Sequence, residues 1–214
     1  MVFIAHRGLK KDAVENTKKA FMAAALSDEY DAIECDIHMT KDRLFVVHHD
    51  DTLKRIYNLD VKIKDESFDT LDKMLGGDLI SLQEFLTICK THNKKAIIEV
   101  KQVFELEDLM TLLDTINLFE NLRYAIISFN LTYLKYLRVL SEAELHLLAG
   151  ELTEPLFEEA KRFNLNLALH YQYVDMYVVH KAHRAGLKVN VWTLKNLDDI
   201  EKMQKLEVDY ITKD

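Results

Sequence analysis

The sequence predicts an α/β fold, and within that class a (β/α)8 TIM barrel. Short apolar runs alternate with longer amphipathic segments along the chain. This alternation is typical of parallel strands joined by crossover helices. Within the longer segments apolar residues recur every three or four positions, as at Leu131, Leu134, Leu137 and Leu140, which is the spacing of a helix packed on a sheet. Eight such strands in one chain favour a closed barrel.

The individual elements follow from the same pattern. Strands are expected near residues 2–6, 31–37, 95–101, 123–128, 144–149, 166–170, 187–192 and 208–212. Helices are expected near residues 15–27, 82–92, 105–118, 130–141, 153–163, 174–185 and 196–205. Asn130 and Thr153 are suited to begin helices, because a short polar side chain can accept a hydrogen bond from the first turn. Gly186 is suited to end a helix just before the seventh strand.

Residues 38–81 interrupt the alternation. The additional extended run LFVVHH, at 44–49, follows the second strand so closely that a hairpin with that strand is predicted. The irregular stretch at about 56–80 then forms a small insertion between the second strand and its helix. In barrels such insertions lie on the carboxyl-terminal rim, the face that carries active sites. No linker or low-complexity tract divides the chain, so residues 1–214 are expected to form a single domain.

Composition limits the partners of the protein. The net charge is −8, with 28 basic and 36 acidic residues, which argues against a general nucleic-acid-binding protein. The sequence has no run of 18 apolar residues, so no stable membrane insertion is expected. A cytoplasmic protein is therefore predicted, with Cys35 and Cys89 as reduced, buried thiols. The oligomeric state is left open by these observations.

Unusual polar residues stand at the ends of several predicted strands. Since residues two apart on a strand face the same side, Glu34 projects with Asp36, and Glu99 projects with Lys101. A charged pair inside a packed barrel must be compensated. These residues therefore lie exposed at loose strand ends, form structural ion pairs, or build a functional site. The strand ends that carry such residues are His6-Arg7-Gly8, Glu34-Cys35-Asp36, Glu99-Val100-Lys101, Ser128 and Asn190-Val191-Trp192.

Three carboxylates with no cysteine or obvious histidine ligand on the same face of their strands form a hard, oxygen-rich site. Such a site prefers Mg²⁺ or Ca²⁺ to zinc. Arg7 and Lys101 at the same rim suit an anionic substrate, most simply a phosphate. His6, together with one of the neighbouring residues His48 and His49, is suited to act as general acid or base near neutral pH. Adjacent strand residues point to opposite faces, so we expect one histidine of the doublet to share this site.

These residues lie in motifs that resemble the glycerophosphodiester phosphodiesterase family. The dense part of the resemblance covers residues 3–55, through FIAHRG, ENT at 15–17, AIECDIHMTKD and VVHHDDTLKR. Scattered matches follow in order as IEVK at 98–101, ISF at 127–129 and AHRAGLKVNVWT at 182–193. The resemblance implies a metal-dependent barrel enzyme, with a small-molecule glycerophosphodiester as substrate and glycerol phosphate and an alcohol as products.

The same resemblance implies roles for individual residues. Glu34, Asp36 and Glu99 are the implied ligands of one divalent cation, Mg²⁺ or Ca²⁺. The other implied roles are the acid–base pair His6 and His49, the phosphate-binding residues Arg7 and Lys101, and a pocket-lining position for Trp192 near the glycerol moiety. The attacking group is then either the neighbouring glycerol hydroxyl, which gives a cyclic phosphate, or water. His48 is expected to face away, as a packing or surface residue.

The sequence departs from the family pattern at several positions. Val14 replaces the usual proline before ENT, Arg43 replaces a turn glycine, and Lys195 replaces an asparagine after the WT dipeptide. The closing TD of the family is Thr212-Lys213 here, followed by Asp214. Two rival functions are a lipid phosphodiesterase that makes cyclic products and a non-catalytic binding barrel. The first would need an exposed apolar or cationic membrane face, and the second would not need the intact acid–base and ligand positions.

Overall fold

The computed structural model describes residues 1–214 and contains a closed barrel of eight parallel strands. The chain order around the barrel is β1, β2, β4, β5, β6, β7, β8 and β9, and β9 pairs back onto β1. The remaining strand, β3, pairs antiparallel with the outer half of β2. The strands are β1 (Val2–Ala5), β2 (Ala32–Met39), β3 (Phe45–Val47), β4 (Lys95–Gln102), β5 (Tyr124–Ser128), β6 (Leu145–Ala149), β7 (Asn166–His170), β8 (Val189–Leu194) and β9 (Tyr210–Lys213). The predicted TIM barrel is therefore confirmed.

Helices connect successive barrel strands. Three short elements between β3 and α4 form the insertion after the second strand, including a 3₁₀ turn at Ile63–Asp65. The helices are α1 (Lys18–Leu26), α2 (Lys54–Tyr57), α3 (Phe68–Met74), α4 (Leu82–Thr91), α5 (Asp108–Asn117), α6 (Leu131–Leu140), α7 (Glu154–Arg162), α8 (Met176–Arg184) and α9 (Leu197–Lys205). None of these helices combines the length and apolar character needed to cross a membrane.

The first helix begins later than the sequence predicts. Its cap is Thr17, whose side chain accepts a hydrogen bond from the Ala20 backbone N–H. Asn16 adopts a left-handed backbone conformation, with φ of 57°, and Glu15 precedes it outside the helix. At the other predicted helix starts, the Asn130 side chain accepts bonds from two backbone N–H groups, whereas Thr153 occupies the cap position without such a bond.

Alternation along the strands divides the core into two layers. Residues that point outward from the barrel pack against the helices in one cluster of 46 buried residues. The inward positions form a much smaller apolar cluster that contains Ile4, Ala32, Ile97, Ala125, Ile127, Leu148, Ala168 and Tyr210. Successive strand residues alternate between these two layers. Inward-facing residues beyond this apolar cluster therefore line the carboxyl-terminal end of the barrel.

The insertion has a small core of its own beside β3. Six buried residues form it: Val46, Leu53, Ile63, Leu71, Leu75 and Leu79. The hairpin between β2 and β3 is closed by Arg43, which has a φ of 61° at a position where the family usually has glycine. The Arg43 guanidinium contacts the buried Asp108 carboxylate and lies 3.4 Å from Glu105. The arginine thus takes the left-handed conformation and ties this turn to the start of α5.

Candidate active site

A cavity opens at the carboxyl-terminal end of the barrel. It has a volume of about 270 Å³ and one charged wall and one largely apolar wall. Seven of the eight residues predicted for the site line it directly: His6, Arg7, Glu34, His49, Glu99, Lys101 and Trp192. The eighth, Asp36, is fully buried beneath the charged wall, with its carboxylate beside those of Glu34 and Glu99. The barrel therefore brings together residues that are far apart in the sequence.

Three carboxylates form a buried cluster on adjacent strands. Glu34 and Asp36 lie on β2 and Glu99 lies on β4, where it pairs in register with Asp36. One oxygen atom from each carboxylate lies within 4.8 Å of the others. Glu34 Oε1 is buried and accepts no hydrogen bond, and the buried Asp36 Oδ1 has Lys101 Nζ 3.0 Å away. Three buried carboxylates at this spacing, one with an oxygen that has no partner, fit the ligand set of a hard divalent cation.

The electrostatics of the cluster agree with that fit. Burial raises the pKa of Glu34 well above its usual range, and the charges of Asp36 and Glu99 raise it further. Burial and the Asp36 charge raise the pKa of Glu99 to about 7, against the opposing effect of Lys101. Burial alone would raise the pKa of Asp36 as well, but Lys101 and Arg7 outweigh it and lower that pKa to about 2. Two of the three carboxyls are thus unfavourable as anions without further positive charge.

Arg7 and Lys101 supply the positive charge on the same wall. Lys101 Nζ lies 2.5 Å from Glu99 Oε1 and 3.0 Å from Asp36 Oδ1. Arg7 Nε lies 3.1 Å from Asp36 Oδ2, and the Arg7 backbone N–H donates to Glu34 Oε2 at 2.9 Å. Both side chains are mostly buried yet border the cavity. Two cationic side chains bordering a cavity favour the binding of an anionic group there.

The two histidines of the doublet lie just after β3, which ends at Val47 and not at the predicted residue 49, and their side chains point to different sides. His49 lines the cavity, and its Nδ1 atom lies 2.7 Å from Asp50 Oδ1. His48 is buried outside the cavity, with Nε2 3.1 Å from the Thr52 carbonyl oxygen and its ring beside that of Tyr57. Burial lowers the pKa of His48 below its ordinary value, which disfavours a charged imidazole at this buried position.

The apolar wall is built around Trp192. The indole Nε1 donates to the Ala168 carbonyl oxygen at 2.9 Å. Phe129 and His170 contact the indole edge-to-face, with ring centroids 5.7 and 5.3 Å away. Ile127 also lines this side of the cavity, as does Leu148. A group bound against this wall would contact apolar surface, and the indole that forms it is held by these contacts.

Several residues at the site have roles that sequence reasoning missed or left open. Asn16 Nδ2 donates to Asp36 Oδ2 at 2.8 Å, so the asparagine of ENT supports the carboxylate cluster. Glu15 lies between two arginines, 3.0 Å from Arg7 Nη1 and 2.5 Å from Arg55 Nη2. Arg55 in turn donates to Asp50 at 2.6 Å. The ENT motif itself was the available signal, but its residues meet these partners only in the folded barrel.

The glycine of the HRG motif permits a close approach of backbone. Gly8 has a φ of 82°, and a Cβ at this position would lie 2.7 Å from the backbone carbonyl carbon of Ala20 in α1. The turn that carries His6 and Arg7 is thereby packed directly on α1. A side chain at this position would combine an unfavourable backbone conformation with overlap against backbone atoms.

Gly8→Ala is accordingly expected to destabilise the protein. The strain of the left-handed conformation costs about 1–2 kcal/mol, and the overlap adds about 1–3 kcal/mol. Urea unfolding followed by circular dichroism measures the loss. Gly76→Ala is the matched control, because Gly76 also has a positive φ but has open space around it. Equal losses for the two variants would contradict the close-approach explanation.

The fold and the cavity define a barrel enzyme with a charged site at the carboxyl ends of its strands. Residues 6–214 match the model of the Glycerophosphoryl diester phosphodiesterase family. A glycerophosphodiester phosphodiesterase of Caldanaerobacter subterraneus subsp. tengcongensis is 29% identical over 231 residues, which cover 99% of this chain and 93% of that protein. The chain belongs to the Glycerophosphoryl diester phosphodiesterase family, as the sequence motifs predict, and has the phosphodiesterase activity of that family.

Solved structures agree with this membership. The structure of a glycerophosphodiester phosphodiesterase from Thermotoga maritima superposes with a TM-score of 0.85 at 27% identity, covering all of this chain and 94% of that one. An Oleispira antarctica phosphodiesterase, solved with the product sn-glycerol-3-phosphate, superposes with a TM-score of 0.91 at 21% identity. The match covers all of this chain and 92% of that one. The second likeness is one of fold.

Proposed function

We propose that the protein hydrolyses glycerophosphodiesters to glycerol phosphate and an alcohol, with a divalent cation and with His6 and His49 as the acid–base pair. The observation that carries this proposal is the meeting of three groups in one cavity. These groups are the carboxylate cluster, the cations Arg7 and Lys101, and the two histidines. A family relative that matches nearly the whole chain is itself named for this activity.

The charge balance of the site supports the need for a cation. Three carboxylates oppose only two cationic side chains, Arg7 and Lys101, so the fully ionised cluster is net negative and would repel a phosphodiester anion. Glu34, Asp36 and Glu99 would hold one Mg²⁺ or Ca²⁺, which when bound supplies positive charge against the phosphoryl oxygens. Arg7 and Lys101 orient the phosphate beside it and stabilise charge that develops on those oxygens.

The two histidines supply the proton transfers. One accepts a proton from the attacking hydroxyl, which belongs either to water or to the glycerol, and the other gives a proton to the leaving alcohol. His6 has a lowered pKa, chiefly because it is buried, and Arg7 and Lys10 lower it further against the opposing effect of Asp214. His6 follows β1, and His49 reaches the same cavity from the segment after β3.

The decisive experiment measures turnover of glycerophosphocholine and of a bis-aryl phosphodiester. Release of glycerol phosphate and choline is followed by phosphorus NMR and by a coupled choline assay. We expect the wild-type protein to hydrolyse glycerophosphocholine and the His6→Ala variant to lose this activity. Full activity of His6→Ala, or no turnover of either diester by the metal-loaded wild type, would overturn the proposal.

Trp192→Ala is expected to raise KM about 10-fold and to change kcat much less. The indole contacts a non-reacting part of the substrate, and a contact present equally in ground and transition states affects KM alone. Trp192→Phe keeps an aromatic face but loses the hydrogen bond to the Ala168 carbonyl oxygen. Its KM should therefore lie between that of wild type and that of Trp192→Ala. Steady-state kinetics on glycerophosphocholine provide the test. A loss confined to kcat would place Trp192 in the chemistry instead.

A further inference from the structure

The Asp214 carboxylate lies against the imidazole of His6. Asp214 Oδ1 is 2.7 Å from His6 Nδ1. The same oxygen is 2.5 Å from Lys10 Nζ, and Oδ2 is 3.6 Å from Lys195 Nζ. The carboxylate is partly shielded, with 27% of its side chain exposed. Asp214 therefore meets a proposed catalytic histidine from which it is separated by almost the whole chain.

The barrel geometry explains how Asp214 reaches the site. Along β9, Thr212 lines the cavity, and Lys213 points to the outer layer, where its Nζ lies 5.0 Å from the ring centroids of Phe3 and Tyr30. Alternation returns the next residue, Asp214, to the inner side. The TD of the family pattern would put its aspartate at position 213, and a side chain at that position points to the outer layer, as Lys213 does.

Backbone hydrogen bonds fix both partners. The His6 N–H donates to the Lys213 carbonyl oxygen at 3.0 Å, and the Asp214 N–H donates to the Leu194 carbonyl oxygen at 3.1 Å. These bonds extend the pairing of β9 with β1 and with β8 beyond the ends of the strands. The contact between the two side chains is thus set by closure of the barrel and does not depend on a flexible tether.

We propose that Asp214 is a positioning residue for His6. A neutral imidazole carries its proton on one ring nitrogen, and a carboxylate at Nδ1 accepts a bond from that atom and holds the proton there. Nε2 is then the nitrogen left free to exchange a proton with the substrate. His49 has the same arrangement, with Asp50 at its Nδ1. This inference rests on the proposed role of His6.

Lys10 opposes Asp214 at the same place. Its ammonium group binds the oxygen that His6 contacts and lies 3.4 Å from His6 Nδ1. The charged groups that face His6 are Arg7 and Lys10 from the segment after β1 and Asp214 from the end of β9, with Lys195 beyond it. Loss of the carboxylate and loss of the Lys10 ammonium should therefore move the titration of His6 in opposite directions.

The test compares Asp214→Asn and Lys10→Met with wild type in kcat and KM profiles against pH on glycerophosphocholine. Asp214→Asn should lower kcat about 10- to 100-fold, leave KM within about threefold, and move the His6-dependent limb to lower pH. Lys10→Met should move that limb to higher pH. Asp214→Glu should restore part of kcat. Asp209→Asn is the matched control, because Asp209 also contacts a histidine, His183 at 2.9 Å, outside the cavity, and its profile should be that of wild type.

Nitrogen-15 NMR of the imidazole groups in the full chain gives an independent measurement. Wild type is expected to show His6 protonated at Nδ1, and Asp214→Asn is expected to show a mixture of the two tautomers. Wild-type kcat with unmoved limbs in a folded Asp214→Asn variant would overturn the inference while leaving the proposed function intact. If His6→Ala is also fully active, the proposed role of His6 fails as well.

Discussion

His49→Ala is expected to lower kcat by about two to four orders of magnitude, whereas His48→Ala should retain kcat within about threefold of wild type. The two residues are adjacent in sequence and chemically identical. They differ only in the face of the chain on which they lie. A general acid–base group must reach the reacting atoms, and of the two only His49 borders the cavity that holds the carboxylate cluster.

The surroundings of the doublet explain why the two variants should separate. The His49 carbonyl oxygen is bound by His38 Nε2 at 3.0 Å, and its imidazole is held by Asp50. His48 is enclosed by the insertion, where it bonds to the Thr52 carbonyl oxygen and packs on Tyr57. Its truncation removes one hydrogen bond and leaves a void, so a loss of stability of about 1–3 kcal/mol is expected in place of a loss of chemistry.

Kinetics and stability must therefore be measured on the same samples. Each variant is assayed at saturating glycerophosphocholine, well below its own unfolding temperature, and the unfolding midpoint is recorded by circular dichroism. His49→Ala should keep the wild-type midpoint within a few degrees. An inactive His48→Ala that remains folded, beside an active His49→Ala, would reverse the assignment of the doublet.

The doublet also shows how much of the site the sequence could predict. Adjacent residues of an extended segment point to opposite sides, and this local property separates His48 from His49 just after β3 and pairs Glu34 with Asp36 on β2. Parallel strands end at the same edge of a sheet, so Glu99 could be placed with that pair. These predictions needed only the correct strand positions, which apolar runs reveal well because barrel strands are buried on both faces.

Contacts that depend on closure of the barrel could not be predicted from local sequence patterns. Asp214 meets His6 because β9 pairs with β1, and nothing local in either segment specifies the partner. Asn16 could equally have capped α1, since Thr17 beside it is also a good cap. The structure gives the cap to Thr17 and turns Asn16, with its left-handed backbone, toward Asp36. Sequence patterns predict which face of a strand a residue lies on and where a strand ends. Which of these residues come into contact depends on the closed barrel.

Removal of divalent cations with EDTA is expected to lower turnover by about two to four orders of magnitude, and added Mg²⁺ or Ca²⁺ should restore it. The expectation follows from the several kcal/mol that a bound cation contributes to stabilising phosphoryl charge. It also follows from the structure, since the buried Glu34 Oε1 accepts no hydrogen bond and the cluster is net negative when ionised.

Variants distinguish a bound cation from a general salt effect. Glu34→Gln keeps the shape of the ligand but removes its charge, so calorimetric titration of the EDTA-treated protein should show cation affinity at least about 100-fold weaker than wild type. His49→Ala is the matched control, because it should bind the cation as wild type does and still fail to turn over substrate. Full activity in EDTA, or cation binding unaffected by Glu34→Gln, would remove the cation from the mechanism and leave Arg7 and Lys101 as the only positive charge at the phosphate.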